Sequence, residues 1–344
     1  MLPIISNLIA KFKPAPTKTI RQVRILSIDG GGVKGVIPAV ILAEIESRTG
    51  KPISQLFDLV AGTSTGGLIT LSLTCSNKDG NPKFTAQDMV NMYMSEVQSI
   101  FSHRYPKTIA QITRYTEEKY DHTELEKVLL RYLGKNKISQ SLLPVIVTSY
   151  DLDHRQPYIF NSQLAKMDSE HDYFIKDVAR ATSAAPTFFK PARVDNPDSV
   201  SSNIRTLIDG GVYANNPAML ALQEAFRLFP GHQKPILISI GTGTSRQKIN
   251  YNHKNGWGEV AWVQPLLDIT FQSLSDIVEN EVAYHFEVEQ NSSNYYRLQN
   301  QLSADLDNMD NSDPENMAKL KKTAEKFVGQ NQELIQEICD KLTS

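Results

Sequence analysis
Three short segments carry residues whose types and spacing can do chemistry. The first is Gly62-Thr63-Ser64-Thr65-Gly66, a Gly-x-Ser-x-Gly pattern. A serine exposed on a sharp strand-to-helix turn needs neighbours without side chains two positions to either side, because the strained backbone leaves no room for a Cβ. Gly62 and Gly66 meet that need, which makes Ser64 a candidate nucleophile. The second segment is Asp29-Gly30-Gly31-Gly32-Val33-Lys34-Gly35. Consecutive glycines leave backbone N–H groups bare and able to converge on an anion. Ester hydrolysis passes through such an anion, and losing one pre-aimed donor costs about 2.7–4 kcal/mol of barrier. Lys34 can fix this loop or add positive charge. The third segment is Asp209-Gly210-Gly211, after Arg205-Thr206-Leu207-Ile208. A carboxylate at a strand end, with glycines behind it, can point into a cleft as a base.

Each segment also has a plainer reading. Ser64 could sit in an ordinary tight turn, and Asp-Gly is a common turn pair. Gly30-x-Gly32-x-x-Gly35 after a strand matches a dinucleotide fingerprint. Against that fingerprint, Asp29 would repel a bound pyrophosphate, and the next strand ends in Gly-x-Ser-x-Gly instead of an acidic ribose ligand. A P-loop is excluded because no Gly-Lys-Ser/Thr follows. Taken together, donors, nucleophile and base all fall at predicted strand ends, which form the ligand-binding edge of a parallel sheet.

The elements that must position them follow from pattern. Strands are predicted at Arg24 to Ile28, Leu56 to Ala61, Leu143 to Thr148, Tyr158 to Phe160, Thr206 to Ile208 and Ile236 to Ile240. Helical spacing covers Val36 to Arg48, Leu68 to Leu73, Ala86 to Phe101, Thr123 to Leu133 with Asp121 as cap, and Ile175 to Thr182. Alternating strands and helices imply an α/β fold: a mainly parallel central sheet with helices on both faces. Residues 300–316 are polar and rich in Asn and Asp, and two helical stretches follow, around Met317–Phe327 and Glu333–Leu342. The division is a segment 1–20, a catalytic domain 21–295 and a helical C-terminal extension 296–344 packed on the core. Met1 to Lys13 reads as a short amphipathic helix, since its cations follow the apolar residues instead of preceding them as in a secretory signal.

Composition narrows the function. A net charge of −2 gives no global basic field for nucleic acid. The two cysteines, Cys75 and Cys339, form no metal spacing and suit a reducing, cytoplasmic compartment. No apolar run approaches the roughly 20 residues that span a bilayer. No carboxylate cluster has a calcium-loop pattern, so no metal or cofactor is expected.

The joint pattern resembles the patatin-like phospholipase family. The resemblance rests on the glycine-rich loop with its lysine, the Gly-Thr-Ser-Thr-Gly elbow about thirty residues later, and the late Asp-Gly-Gly. Ile25-Leu26-Ser27-Ile28-Asp29, Tyr120-Asp121, Thr182-Ser183-Ala184-Ala185-Pro186, Asn215-Asn216-Pro217 and Ser239-Ile240-Gly241-Thr242-Gly243 are similar to further family landmarks. It covers about residues 22 to 290; Lys34 stands where many members have arginine.

The resemblance implies a three-layer fold and a lipid acyl hydrolase of phospholipase A type. Ser64 is then the nucleophile, Asp209 its base, and the amides of Gly31 and Gly32 the oxyanion hole, with Gly30 and Lys34 supporting. Gly35, Gly210 and Gly211 support the motifs, and the Ser183–Pro186 turn with Phe188 and Phe189 lines the acyl cleft, core packing being the plainer reading for the two phenylalanines. The implied partners are a membrane lipid or lysolipid substrate, a peripheral membrane contact and, as for some members, an activator. Two other readings stay open: an esterase with a Ser-His-Asp triad using His253 or His285, and a non-catalytic storage or binding protein.

Overall fold
The computed structural model describes residues 22–101, 118–196, 204–231, 234–245 and 259–344. The segment 1–20 and His253 lie outside the described residues. In chain order the elements are β1 (Arg24–Ile28), α1 (Val36–Thr49), α2 (Ile53–Leu56), β2 (Leu59–Thr63), α3 (Thr65–Leu73), α4 (Ala86–Ile100), α5 (His122–Leu133), β3 (Val145–Asp151) and β4 (Gln156–Asn161). Then come α6 (Ser162–Met167), α7 (Ile175–Thr182), β5 (Ala192–Val194), β6 (Arg205–Asp209), α8 (Gly211–Ala214), α9 (Ala218–Leu228), β7 (Ile236–Ile240), α10 (Glu259–Val288), β8 (Tyr295–Leu298), α11 (Pro314–Gln330) and α12 (Gln332–Thr343).

Five strands run parallel in the order β3-β2-β1-β7-β8. Their apolar runs are nearly continuous because helices cover both faces. Leu26, Ile28 and Val60 point to one face, packed by α1, α3, α4 and α11. Ile25, Leu59, Ala61 and Leu237 point to the other, packed by Ala218, Ala221 and Leu222 of α9 and by Val282 and Phe286 of α10. The result is three layers with the sheet in the middle.

The far end of the sheet is antiparallel: β4 and β6 both pair with β3, and β5 pairs with β6. An apolar run does not encode strand direction, so the sequence pattern carries no sign of this. The C-terminal part is integrated into the body. Strand β8 extends the parallel sheet, and Met317, Leu320, Ile335, Ile338 and Leu342 enter the larger core. The guanidinium of Arg24 donates to the carbonyl of Leu342 at 2.7 Å, tying the last helix to the first strand. Among the described residues no helix is long and apolar enough to cross a membrane.

Candidate active site
Strand β3 acts as the ruler that brings Ser64 and Asp209 together. Strand β4 covers one edge of β3 from Ile146 to Asp151, so β2 and β6 must share the other edge. There Thr63 sits opposite Thr148, and Asp209 sits opposite Ser149, the next residue along. The ends of β2 and β6 therefore meet head-on, which places Asp209 beside Ser64. A hydrogen bond of 2.7 Å between the Thr63 and Thr148 hydroxyls pins the junction.

Ser64 lies between β2 and α3 with φ 54° and ψ −122°, a left-handed conformation that a side chain rarely adopts. Its amide donates to Thr182 Oγ1 at 2.8 Å, so that N–H serves the turn. The flanking glycines are required sterically. A Cβ on Gly62 would overlap the carbonyl of Gly66, and one on Gly66 would overlap the carbonyl of Ile28. Gly35 has the same kind of constraint, because a Cβ there would strike Thr65 Oγ1 and the hydroxyl of Tyr93.

Asp209 is buried, 1% exposed. Burial pushes its carboxyl up to about 7, against the pull of hydrogen bonds from the Ser64 hydroxyl and the Gly211 amide. The Gly211 bond is 2.8 Å long. Gly210 has no room for a side chain because Thr148 of the neighbouring strand fills the space. A buried carboxylate held near neutrality is a stronger base than an exposed one, which suits proton abstraction from a hydroxyl.

The glycine loop leaves β1 and curls toward Ser64. Its amides are mostly used: Asp29 donates to Ile240, Gly30 to Asn215, Val33 to Met309 and Lys34 to Gly31, over 2.9–3.2 Å. The amides of Gly31 and Gly32 take no part in these bonds, and both residues line the cleft beside Ser64. Thr242 donates to the Gly30 carbonyl at 2.8 Å, so the Ser239–Gly243 landmark backs the loop. Lys34 is 6% exposed and pairs with Asp307 at 3.0 Å. Its charge is thus spent on the C-terminal segment.

Beyond Ser64 and Asp209 the cleft is apolar, lined by Leu68, Met92, Val97, Ile100, Phe101, Leu125, Phe188 and Phe189, with Phe271 and Met309 from the last third of the chain. Ser183 and Ala185 also line it. Phe188 and Phe189 serve both as core and as cleft wall. A second groove, more polar than the cleft, meets it at Gly31, Asn215, Phe271 and Met309, with Thr242, Gln272, Asp276, Gln299 and Asp307 along it. His285 packs against Phe226 in a tilted contact and Phe286 edge-to-face, on the α9–α10 side of the sheet. Among the described residues no histidine lines the cleft, and no group of His, Cys, Asp and Glu could hold a metal ion.

The structure brings together Ser64, Asp209, the Gly62–Gly66 and Gly210–Gly211 pairs and the glycine loop. Sequence reasoning missed the Thr182 hydroxyl, Asn215 and Thr242 as individual groups, although each stands in a quoted landmark. Phe271, Asp307 and Met309 carried no signal at all.

A model of the patatin-like phospholipase family matches residues 26–222. Patatin-like protein 2 of Arabidopsis thaliana is 35% identical over 89% of this chain and 83% of its own length. Patatin-like protein 1 of the same plant is 33% identical over 92% and 84%. The protein named "Probable inactive patatin-3-Kuras 1" of Solanum tuberosum is 30% identical over 89% and 86%. Among solved structures, VipD from Legionella pneumophila is similar with a TM-score of 0.39 and 11% identity, over 97% of this chain and 72% of that one. On the family match and the plant relatives, the chain belongs to the patatin-like phospholipase family, whose general function is lipid acyl hydrolysis.

Proposed function
We propose that the protein is a phospholipase A-type hydrolase that cleaves fatty acyl esters through a Ser64–Asp209 dyad and an acyl-enzyme. One observation carries this reading. A buried Asp209 carboxyl, pushed up to about 7, faces the Ser64 hydroxyl at the polar end of an apolar cleft. Because one relative is named as inactive, family membership is not itself activity, and the reading rests on that geometry.

In the first half-reaction Ser64 Oγ bonds to the ester carbonyl carbon while its proton passes to Asp209. The oxyanion lies against the amides of Gly31 and Gly32, with Gly30 and Lys34 shaping the loop. The C–O bond to the alcohol or lysolipid then breaks, and the leaving oxygen takes the proton from Asp209. In the second, water attacks the acyl carbon as Asp209 takes its proton, the bond to Ser64 Oγ breaks, Asp209 returns the proton to Oγ, and the fatty acid departs. The apolar cleft suits the acyl chain, and the polar groove suits the leaving group. At the rim of that groove α10 exposes Leu266 and Ile269, with Trp262 and Ile277 on the same side of the helix. An exposed apolar stripe beside the entrance fits a peripheral contact with the lipid surface that holds the substrate.

The test is fatty-acid release from phospholipid vesicles, and hydrolysis of a short p-nitrophenyl ester, both in EDTA. The expected result is release by the wild type, loss in Ser64→Ala and Asp209→Ala, and retention in His253→Ala and His285→Ala. Loss in a histidine variant would favour the triad. No release by the wild type on either substrate would favour a storage role or the need for an activator.

A further inference from the structure
The segment from Arg297 to Asp310 fastens the glycine loop at three points, all from residues beyond the family-matched segment 26–222. Arg297 grips Asp29 with two guanidinium nitrogens, at 2.6 and 3.0 Å, and both side chains are buried. Asp307 pairs with the buried Lys34 at 3.0 Å. The Met309 carbonyl accepts the Val33 amide at 2.9 Å, and its approach is so close that Gly32 has no room for a Cβ. Two further bonds, both to Asp310, join this strap to the wall of the acyl cleft. Asp310 accepts from Lys119 Nζ at 2.6 Å and from the Tyr120 hydroxyl at 2.9 Å. Tyr120 in turn packs on Phe101 and Phe189, with ring centroids 5.1 and 5.9 Å away.

Three glycines in a row have more backbone freedom than any other tripeptide. A donor that wanders by about 1 Å can forfeit about a hundredfold in rate. The fastenings fall on Asp29, Val33 and Lys34, on both sides of Gly31 and Gly32, so they remove that freedom where it matters. We propose that Asp307 and the Met309 carbonyl are positioning groups for the oxyanion hole, holding the loop so that the Gly31 and Gly32 amides face Ser64. This rests on the dyad reading above and adds a part of the machinery supplied by the C-terminal extension.

Asp307 offers the test, because its side chain is 39% exposed and it lies on the second groove, outside the acyl cleft. A short ester is compared with its thionoester, in which sulfur replaces the carbonyl oxygen. Amide donors hold an oxyanion far better than a thiolate, so the ratio of the two rates reports how well the donors are aimed. In Asp307→Ala, kcat for the ester is expected to fall about tenfold or more at nearly unchanged KM, and the oxo-to-thiono ratio to shrink with it. Asp307→Glu restores the ratio. Asp307→Asn, which keeps the shape, is the second variant if the alanine protein does not accumulate. A ratio kept at the wild-type value in both neutral variants, whatever happens to kcat, overturns the proposal. Activity surviving in Ser64→Ala would instead sink the dyad reading beneath it.

Discussion

Asp209 lies in a place that opposes its own charge, and that conflict has two measurable consequences. Its carboxyl titrates at about 7 instead of near 3.8, with burial as the main cause. In the proposed dyad it must be ionised to act as base, so kcat/KM on the short ester should rise through pH 7 and level off above it, traced by a pH–rate profile. Stability should run the opposite way. The folded state holds its proton more tightly than the unfolded state, so the favourable contribution is complete below about pH 4 and is lost as pH rises through about 7. At ~1.4 kcal/mol per unit, the loss is on the order of 4 kcal/mol. Asp209→Asn should therefore be inactive but more stable than the wild type at pH 8 in urea melts, with the gap closing by pH 4. Ser64 stores strain of another kind, in a backbone with φ 54°. Such strain costs roughly 1–3 kcal/mol, while glycine adds back about 0.5–1 kcal/mol of chain entropy. Ser64→Gly should thus be as inactive as Ser64→Ala yet at least as stable, a comparison that urea denaturation decides.

How well an element can be read from the sequence depends on what encloses it. Strands β1 and β7 and helix α7 have the bounds that pattern predicts, because burial on a fixed face dictates the residues. Helix α3 starts at Thr65, three residues before the predicted Leu68, since Gly66 and Gly67 read as breakers. Here close packing overrides propensity: the helix start lies against the carbonyls of Ile28 and Asp29, where only glycine fits. The direction of β6 was not legible, although its terminal Asp209 was, because the ruler of β3 works through register between distant strands. Two glycines separate local from tertiary need. Gly50 ends α1 at φ 64° with open space around it, whereas Gly66 faces backbone atoms that cannot swing aside. Gly50→Ala should cost about 1 kcal/mol in a denaturant titration and leave turnover intact. Gly66→Ala should cost well beyond that and abolish turnover.

At the scale of the whole molecule, the C-terminal helices share one hydrophobic core with the elements that carry Ser64 and the glycine loop. Sequence pattern predicts helices for the extension but not its contacts with the glycine loop, because these run through a backbone carbonyl and aspartates with no motif. Helices α11 and α12 bury Met317, Leu320, Ile335, Ile338 and Leu342 against the face that carries α1. Burying one such side chain is worth about 1.5–3 kcal/mol, so these five together amount to roughly 10 kcal/mol. That is comparable to the whole stability of a typical domain, about 5–15 kcal/mol. A chain ending after Leu298 would keep every family motif and still expose the core surface under α1. Such a truncation should give an aggregated or non-cooperatively melting product. The full chain should show one transition, coincident by far-UV circular dichroism and tryptophan fluorescence. A truncated protein with an unchanged melting temperature would instead mark residues 299–344 as a detachable appendage, and the oxyanion loop would then have to hold its shape without Asp307 and Met309.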